Sequence, residues 1–380
     1  MVLGTRFLIP VLLPQIKDAF TLNNTLAGLA ITVIWAGYAV MQFPAGILVD
    51  KFNARKVMSV SFGIAAGSLG LMSISPTFAP FFIASGLFGI GTGLFGTARG
   101  IALSEFFPKE AGIAFGITLA GGSLGSALLS FGGGIGAQYL GWRVTLGILF
   151  PVFLGLLFLT WWILPSLEQT SIEETDFSIN DLITGIHTAI QNNEIIITFF
   201  AMVFIMFTLQ AVTAFLPTYL VQVKGFSQQT AGLLFAIMFI AGAIAQLFGG
   251  RAADYFSRTK VLVGISFVGI FTLIAIPFAS GIFVLVFIIA VLGSRFGIAP
   301  VANSLIISLL PDQAVGTTWG LFRSIMFLIG STGSVVVGIL ADLGYFNEAF
   351  ILLAILTLFA TGLFLLLLPI RSNIGVRNEL

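Results

Sequence analysis

Residues 27–50, AGLAITVIWAGYAVMQFPAGILVD, form a long apolar run that ends on an aspartate. A related run, AGLLFAIMFIAGAIAQLFGGRAAD, occupies residues 231–254, so that Asp254 follows Asp50 by 204 positions. The two runs share their Ala-Gly-Leu start, one glutamine, one glycine and the final aspartate. Each run is longer than the roughly 20 residues that cross a bilayer. The chain therefore contains a repeated membrane-spanning unit that divides it into two related halves.

The composition is typical of an integral membrane protein. Of the 380 residues, 58% are hydrophobic and only 8% are charged, whereas soluble domains carry about 25% charged residues. So few charges could not cover the surface of a soluble protein, and we expect the lipid bilayer as a partner. The net charge of +1 gives no sign of a nucleic-acid partner. There is no cysteine, which excludes thiolate metal sites, and we expect neither a cofactor nor a bound metal.

Apolar stretches recur along the whole chain between short polar breaks. They predict an all-α membrane protein of twelve helices, at about 1–16, 25–49, 57–75, 79–106, 112–139, 144–164, 195–221, 230–253, 261–279, 282–310, 316–341 and 349–369. The first helix is short for a membrane span because Lys17 follows it, which suggests a truncated start. Six helices in each half make a parallel repeat, with a pseudo-two-fold axis along the membrane normal.

The longest polar break, residues 166–194, separates the predicted bundles 1–165 and 195–380. It carries six acidic residues and no lysine or arginine. Within it, residues 178–191 have apolar side chains at helical spacing and predict an amphipathic surface helix. This acidic segment is expected to be a cytoplasmic linker and not a domain.

Basic residues indicate the orientation of the chain in a plasma membrane. If the linker is cytoplasmic, nine basic residues lie in cytoplasmic loops and three in outer loops. The cytoplasmic nine are Lys51, Arg55, Lys56, Lys109, Arg251, Arg258, Lys260, Arg371 and Arg377; the outer three are Lys17, Arg143 and Lys224. This excess predicts that both termini are cytoplasmic.

Residues 46–56, GILVDKFNARK, resemble the loop signature of the major facilitator superfamily. Asn53 stands where that signature usually has glycine, a mild departure because asparagine also tolerates a positive φ. A degraded copy runs from Gly250 through Asp254 to Arg258 in the second half. The segments YAVMQFPAG (38–46), FFP (106–108) and GWR (141–143) are also similar to this superfamily. The resemblance covers essentially the whole chain and implies a transporter fold of two six-helix bundles.

The resemblance further implies that the 46–56 loop is a cytoplasmic latch. The Asp50 carboxylate would accept from basic neighbours and from the start of the eleventh helix near Gly316. The alternative is that the basic residues of this loop only determine topology. The expected gating residues are Gly46, Asp50, Lys51, Arg55, Lys56, Glu105, Asp254, Arg258 and Arg323.

Four arginines, Arg6, Arg99, Arg295 and Arg323, lie inside predicted spans. An ionisable group in a span is costly unless paired or solvated, so each is a functional candidate. The resemblance implies that the first, fourth, seventh and tenth helices line a central cavity, and three of the arginines fall on these helices. Guanidinium groups bind carboxylate or phosphate bidentately. The expected substrate-binding residues are Arg6, Arg99, Arg295, Gln210 and Asn303.

Alternatives for these residues stay open. Arg99 could belong with Arg323 to the gate, pairing with Glu105 or Asp50. The polar residues Gln210 and Asn303 could simply satisfy hydrogen bonds between helices.

The spacing from Arg6 to Pro14, with the 38–46 segment, is similar to the anion:cation symporter branch that includes sialin and hexuronate carriers. Members of that branch commonly have an aspartate before this arginine, but Thr5 stands here. This departure puts proton coupling through such a pair in doubt, and either a proton or Na⁺ is a candidate coupling ion.

Three functions compete. The favoured one is a secondary transporter that moves a small organic anion by alternating access. A drug exporter would be expected to carry an acid within the membrane, and none is evident. A non-transporting sensor would be favoured by an altered loop signature, but Asp50 and its basic neighbours are present in the first half. No nucleophile–base pair or metal-ligand cluster supports an enzyme.

Overall fold

The computed structural model describes residues 1–107, 110–165, 179–310 and 315–375. These residues are almost entirely α-helical and contain no strand. In the first half the helices are α1 (Val2–Phe20), α2 (Asn24–Phe52), α3 (Ala54–Ile74), α4 (Phe78–Phe106), α5 (Ala111–Tyr139), α6 (Gly141–Gly147) and α7 (Leu149–Ile163). Later in the chain they are α8 (Ile179–Gln191), α9 (Asn193–Gln222), α10 (Gln228–Phe256), α11 (Arg258–Phe278), α12 (Ile282–Gly293), α13 (Ile298–Ile307), α14 (Val315–Asp342) and α15 (Phe346–Gly375).

These helices confirm eleven of the twelve predicted spans to within a few residues, the first being the exception. In the described part, eleven helical segments are long and apolar enough to cross a membrane. The predicted sixth span consists of α6 and α7 together, and the tenth is interrupted by a 3₁₀ turn, Ser294–Gly297, between α12 and α13. The amphipathic helix expected near 178–191 is α8. The rest of the expected linker before α8, residues 166–178, lies outside the described residues.

The first helix is longer than expected. It continues through Lys17 to Phe20, where Thr21 ends it in a left-handed conformation (φ 52°). The Lys17 ammonium donates to the side-chain oxygens of Asn24 and Gln222, so its charge does not force the helix to stop. Nineteen residues give a length of about 28 Å, close to the hydrocarbon thickness of a bilayer. The predicted end at residue 16 was therefore wrong.

Asn53, at the position where the loop signature usually has glycine, lies in the turn after α2. Asn53 has a φ of 66°, and its side chain accepts from the Lys56 backbone N–H at 3.0 Å, which caps α3. Ser257, 204 positions later between α10 and α11, has a φ of 78°. The two halves thus repeat the backbone conformation of this turn as well as its sequence.

Two helix crossings join the halves at the end of the bundle away from the linker, here called the far side. A β-carbon at Gly28 of α2 would stand 2.4 Å from the carbonyl oxygen of Ser334 on α14. A β-carbon at Gly232 of α10 would stand 2.6 Å from the carbonyl oxygen of Ser130 on α5. Gly232 follows Gly28, and Ser334 follows Ser130, by the same 204 positions. Close backbone contact between small residues therefore closes the far side twice, once in each two-fold-related crossing.

The same helices separate toward the linker side. Gly134 of α5 and Gly338 of α14 also lie at these crossings, where a β-carbon would stand 2.7 Å from the Gln228 oxygen and 2.5 Å from the Asn24 oxygen. Gly28, Gly134, Gly232 and Gly338 each have a counterpart 18 residues away, which is about five turns along the same helix face. These counterparts are Gly46 on α2, Gly116 on α5, Gly250 on α10 and Gly320 on α14. A β-carbon at the last three would meet no described atom within 4 Å, and at Gly46 it would meet only Thr97 of its own half. The bundle is thus closed at the far side and splayed at the linker side.

Candidate functional site

Arg6 lies on α1 and is buried, with only 6% of its surface exposed. Its guanidinium carbon stands 4.1 Å from the centre of the Tyr38 ring and 4.9 Å from that of Trp35, both on α2. Aromatic faces attract a cation and partly replace its lost hydration. The Nε atom of Arg6 is nevertheless buried without a hydrogen-bond partner.

Arg99 and Arg323 join Arg6 around Tyr38. Arg323 comes from α14, in the other half of the chain, and its Nη2 lies 3.5 Å from the Tyr38 hydroxyl oxygen. Arg99 on α4 is close enough to exert a Coulombic effect on Tyr38 and Arg323. We call Arg6, Arg99 and Arg323, with Tyr38 between them, the arginine cluster.

The arginine cluster gathers three positive charges around one tyrosine. Within the described residues, the electrostatic partners of Arg6 are Tyr38 and the other two arginines, with no carboxylate among them. The same holds for Arg99, whose Nε is also buried without a hydrogen-bond partner. Three like charges in a low-dielectric setting repel one another, so this arrangement favours an anion.

Gln42 lies beside the arginine cluster, next to the Tyr38 hydroxyl. It was not predicted as a site residue from the sequence. Its side-chain nitrogen is buried without a partner. That nitrogen and the Tyr38 hydroxyl oxygen both lie 3.6 Å from the position that a Gly96 β-carbon would occupy. Because position 96 of α4 is glycine, no side chain from that position covers the Gln42 amide or the Tyr38 hydroxyl of α2. The one sequence signal for Gln42 was its recurrence in the repeat.

An aromatic stack covers the cluster on the far side. The Trp35 ring stacks on Phe327 of α14 with centres 5.8 Å apart and planes inclined by 12°. Tyr38 meets Phe327 edge-on at 5.3 Å. Trp35 and Phe327 each lie about one turn farther from the linker side than the cluster residue on the same helix. The stack therefore separates the arginines from the far side, while the splayed linker side leads toward them.

The structure places the other predicted substrate residues differently. Gln210 on α9 is buried and donates to the Phe327 backbone oxygen at 3.4 Å, beside the cluster. Asn303 is half-buried on α13, and no contact with the cluster is found among the described residues. Arg295 is fully buried between α9, α11 and α15, where it donates to Thr208 and Thr357. The structure does not bring Arg295 to the cluster.

The residues expected at the gate are also divided. Arg323 stands in the cluster and not at the linker-side end, because it lies eight residues, about 12 Å, inside α14. Arg55 stacks on Trp161 of α7, with its guanidinium carbon 4.5 Å from the ring centre. Arg258 donates to the Ser304 backbone oxygen and to the Ser308 hydroxyl. The described contacts of Arg55 and Arg258 therefore remain within their own halves.

The remaining gate residues lie at the linker-side ends of their helices. Lys51, Lys56 and Glu105 are exposed there. Gly46 lies on the splayed face of α2. The side chains of Asp50 and Asp254 fall outside the described part. The side chains around Gly316, where the latch was expected to meet Asp50, fall outside it too.

Comparison with known proteins agrees with this architecture. The family model described as Major Facilitator Superfamily matches residues 1–231 and 198–374. This chain belongs to the Major Facilitator Superfamily and is a multi-pass membrane transporter by family.

Individual relatives are distant. The chain is 25% identical over 370 residues to the hexuronate transporter of Bacillus subtilis (strain 168), covering 92% of this chain and 87% of the relative. It is 28% identical over 319 residues to a putative proline/betaine transporter of Staphylococcus haemolyticus (strain JCSC1435), covering 76% and 66%. A bacterial homologue of the human lysosomal transporter Spinster, solved in an inward-facing and unoccupied conformation, has a similar fold. Its TM-score is 0.79, with 14% identity over 96% of this chain and 95% of that chain.

Proposed function

We propose that this protein is a secondary transporter that carries a small organic anion across the plasma membrane by alternating access. The observation that supports this proposal best is the arginine cluster. Its guanidinium groups come from both halves of the chain, two of them have buried nitrogens without partners, and no described carboxylate is among the electrostatic partners of Arg6 and Arg99.

A bound anion would supply the negative charge and the hydrogen-bond acceptors that the arginine cluster lacks. A carboxylate accepts two parallel hydrogen bonds from a guanidinium group, and the free amide nitrogen of Gln42 offers a further donor. The substrates in the names of the two relatives, hexuronate and proline or betaine, all carry a carboxylate. The Trp35 and Phe327 rings would lie against the apolar part of such a molecule.

The position of the cluster suits alternating access. Arg6 and Arg99 belong to the first half and Arg323 to the second, so a bound anion would link the halves near the middle of the membrane. The far side is closed by the two glycine crossings, and the linker side is splayed. With the linker in the cytoplasm, as the basic loops favour, the cavity of this conformation opens to the cytoplasm.

Drug export is less well supported. A cationic substrate would meet three arginines, and the described residues of the cluster include no acid to attract it. The same lack of a titratable carboxylate means that the cluster assigns neither a proton nor Na⁺ as the coupling ion.

Uptake into proteoliposomes tests the proposal. The panel comprises labelled organic carboxylates, sugar acids, phosphates and cationic dyes, with and without an inward proton gradient. We expect saturable uptake of one anion class, and a loss of about tenfold or more in Arg6→Gln and Arg323→Gln, since each removes one charge-assisted pair. Arg143→Gln is the matched control, because Arg143 stacks on Trp142 at 4.4 Å outside the cluster. Transport of the dyes alone, or full uptake by both cluster variants, would overturn the anion assignment.

A further inference from the structure

Arg295 is a second buried arginine, separate from the arginine cluster. It lies on the 3₁₀ turn Ser294–Gly297 that interrupts the predicted tenth span, and only 1% of its surface is exposed. It is the largest fully buried side chain in the described part of the protein. No step of the proposed transport uses it.

The hydrogen bonds of Arg295 leave most of its donors unused. Its Nη2 donates to the hydroxyl oxygens of Thr208 and Thr357. Those hydroxyls are acceptors here, because their own protons go to the backbone oxygens of Ile205 and Leu353. The Nε and Nη1 atoms are buried without any partner.

The surroundings of Arg295 supply no negative charge. The guanidinium group is removed from solvent, and no described carboxylate interacts with it. Gly269 of α11 packs against its side chain, since a β-carbon there would lie 3.2 Å from Cδ and 3.5 Å from Nε. Ser266, three residues earlier on α11 and thus on a neighbouring part of the same face, has a buried hydroxyl without a partner.

We propose that Arg295 holds a small inorganic anion of the chloride class as a buried counter-ion in the second half of the transporter. An isolated charge in the membrane interior is costly and normally has a partner. Water would satisfy the free Nε and Nη1 donors but would leave the charge unbalanced. Arg295 is only 1% exposed and is contacted by α9, α11 and α15, which favours a small anion, and one guanidinium group matches one negative charge.

Thermal unfolding of the detergent-purified protein gives the first test. Chloride, bromide and gluconate are compared at constant ionic strength. We expect the halides to raise Tm by about 2–4 °C over gluconate in the wild type, because a ligand of the native state stabilises it. Arg295→Met should lose this response. Arg143→Met is the control that should keep it, because Arg143 stacks on Trp142, away from both Arg295 and the arginine cluster.

An equal halide response in wild type and Arg295→Met, or no response in the wild type, would overturn the proposal. A crystallographic measurement keeps the test independent of how the variant folds. Crystals of the wild type grown in bromide should show an anomalous peak within hydrogen-bonding distance of Arg295 Nε and Nη1. Density there without anomalous signal would show water in place of the anion and would equally contradict the proposal.

Discussion

Gly28 and Ser334 bring α2 and α14 into backbone contact, so close that a β-carbon at position 28 would stand 2.4 Å from the Ser334 carbonyl oxygen. Five turns along the same face of α2, Gly46 meets no described residue of the other half. The same difference separates Gly232 from Gly250 on α10. The two halves are therefore in backbone contact at the far side, at crossings that leave no room for a β-carbon.

Gly28→Val should force this crossing apart. The added side chain clashes with backbone, which has no flexible end to move aside, so the far-side closure becomes unfavourable by an amount typical of overpacking, about 1–3 kcal/mol. The chain has no native cysteine, so a single Gly116→Cys on the splayed face reports access from the linker side. We expect slower maleimide labelling of that cysteine in the Gly28→Val background.

The control for this change is Gly264→Val on α11, where no described atom lies within 4 Å of an added β-carbon. It should label like the parent protein. Unchanged labelling in Gly28→Val, with normal folding, would show that the crossing does not control which side is open.

Asp342 caps the start of α2 across the same interface. Its carboxylate accepts from the backbone N–H groups of Asn24 at 2.7 Å and Thr25 at 2.8 Å, and from the Thr25 hydroxyl at 2.6 Å. A negative charge at a helix N-terminus and a side-chain cap each contribute about 1 kcal/mol. Asp342→Ala should therefore lower the free energy of unfolding by about 1–2 kcal/mol, measured by thermal unfolding in detergent.

The repeat provides a matched control for Asp342. Gln138 stands 204 positions earlier, and its side-chain oxygen accepts from the Gln229 backbone N–H at 3.3 Å, at the start of α10. This cap is neutral and makes one bond in place of three. Gln138→Ala should therefore cost less stability than Asp342→Ala, and an equal or larger loss would contradict the electrostatic explanation.

Tyr38 offers two separable functions, a ring and a hydroxyl. Tyr38→Phe keeps the aromatic face beneath Arg6 and the contacts with Trp35 and Phe327, but removes the oxygen that lies near Arg323. Tyr38→Leu removes both. We expect Tyr38→Leu to lose about 1–2 kcal/mol of stability from cation–π and aromatic contacts. Tyr38→Phe should fold normally, with an altered KM for the proposed anionic substrate. Equal effects of the two substitutions on stability would argue against the ring contacts.

Most of the fold could be predicted from the sequence, because backbone groups in a bilayer must be satisfied within helices, and long apolar runs then have few alternatives. The end of α1 could not be predicted, because the charge of Lys17 indicates that the membrane span stops there. Only the structure shows that Asn24 and Gln222 accept hydrogen bonds from Lys17. The 3₁₀ turn at Ser294–Gly297 likewise has no clear sequence signal.

The candidate site could be predicted only in part, because helical rise gives depth but not direction. Arg6 and Arg295 both lie near the middle of the membrane by this measure, and Arg99 lies nearer its cytoplasmic side. Packing decides that Arg295 faces α11 and α15, whereas Arg323 of α14 turns toward Tyr38. Gln42 was missed for the same reason, since only the gap beside Gly96 shows that its amide is uncovered.

Substitutions at Arg55 test whether this residue belongs to a cytoplasmic latch or only determines packing and topology. In this conformation its guanidinium group stacks on Trp161 of its own half at 4.5 Å, and a latch would engage only when the linker side closes. Arg55→Lys keeps the positive charge but loses the planar stacking surface. If Arg55 serves packing and topology, this variant should lose about 0.5–1 kcal/mol of stability, and Trp161→Leu should lose at least as much, with anion uptake near normal in both. If Arg55 is part of the latch, Arg55→Lys should reduce uptake severalfold while Trp161→Leu does not. Parallel uptake assays and thermal unfolding of the two variants therefore separate the two functions.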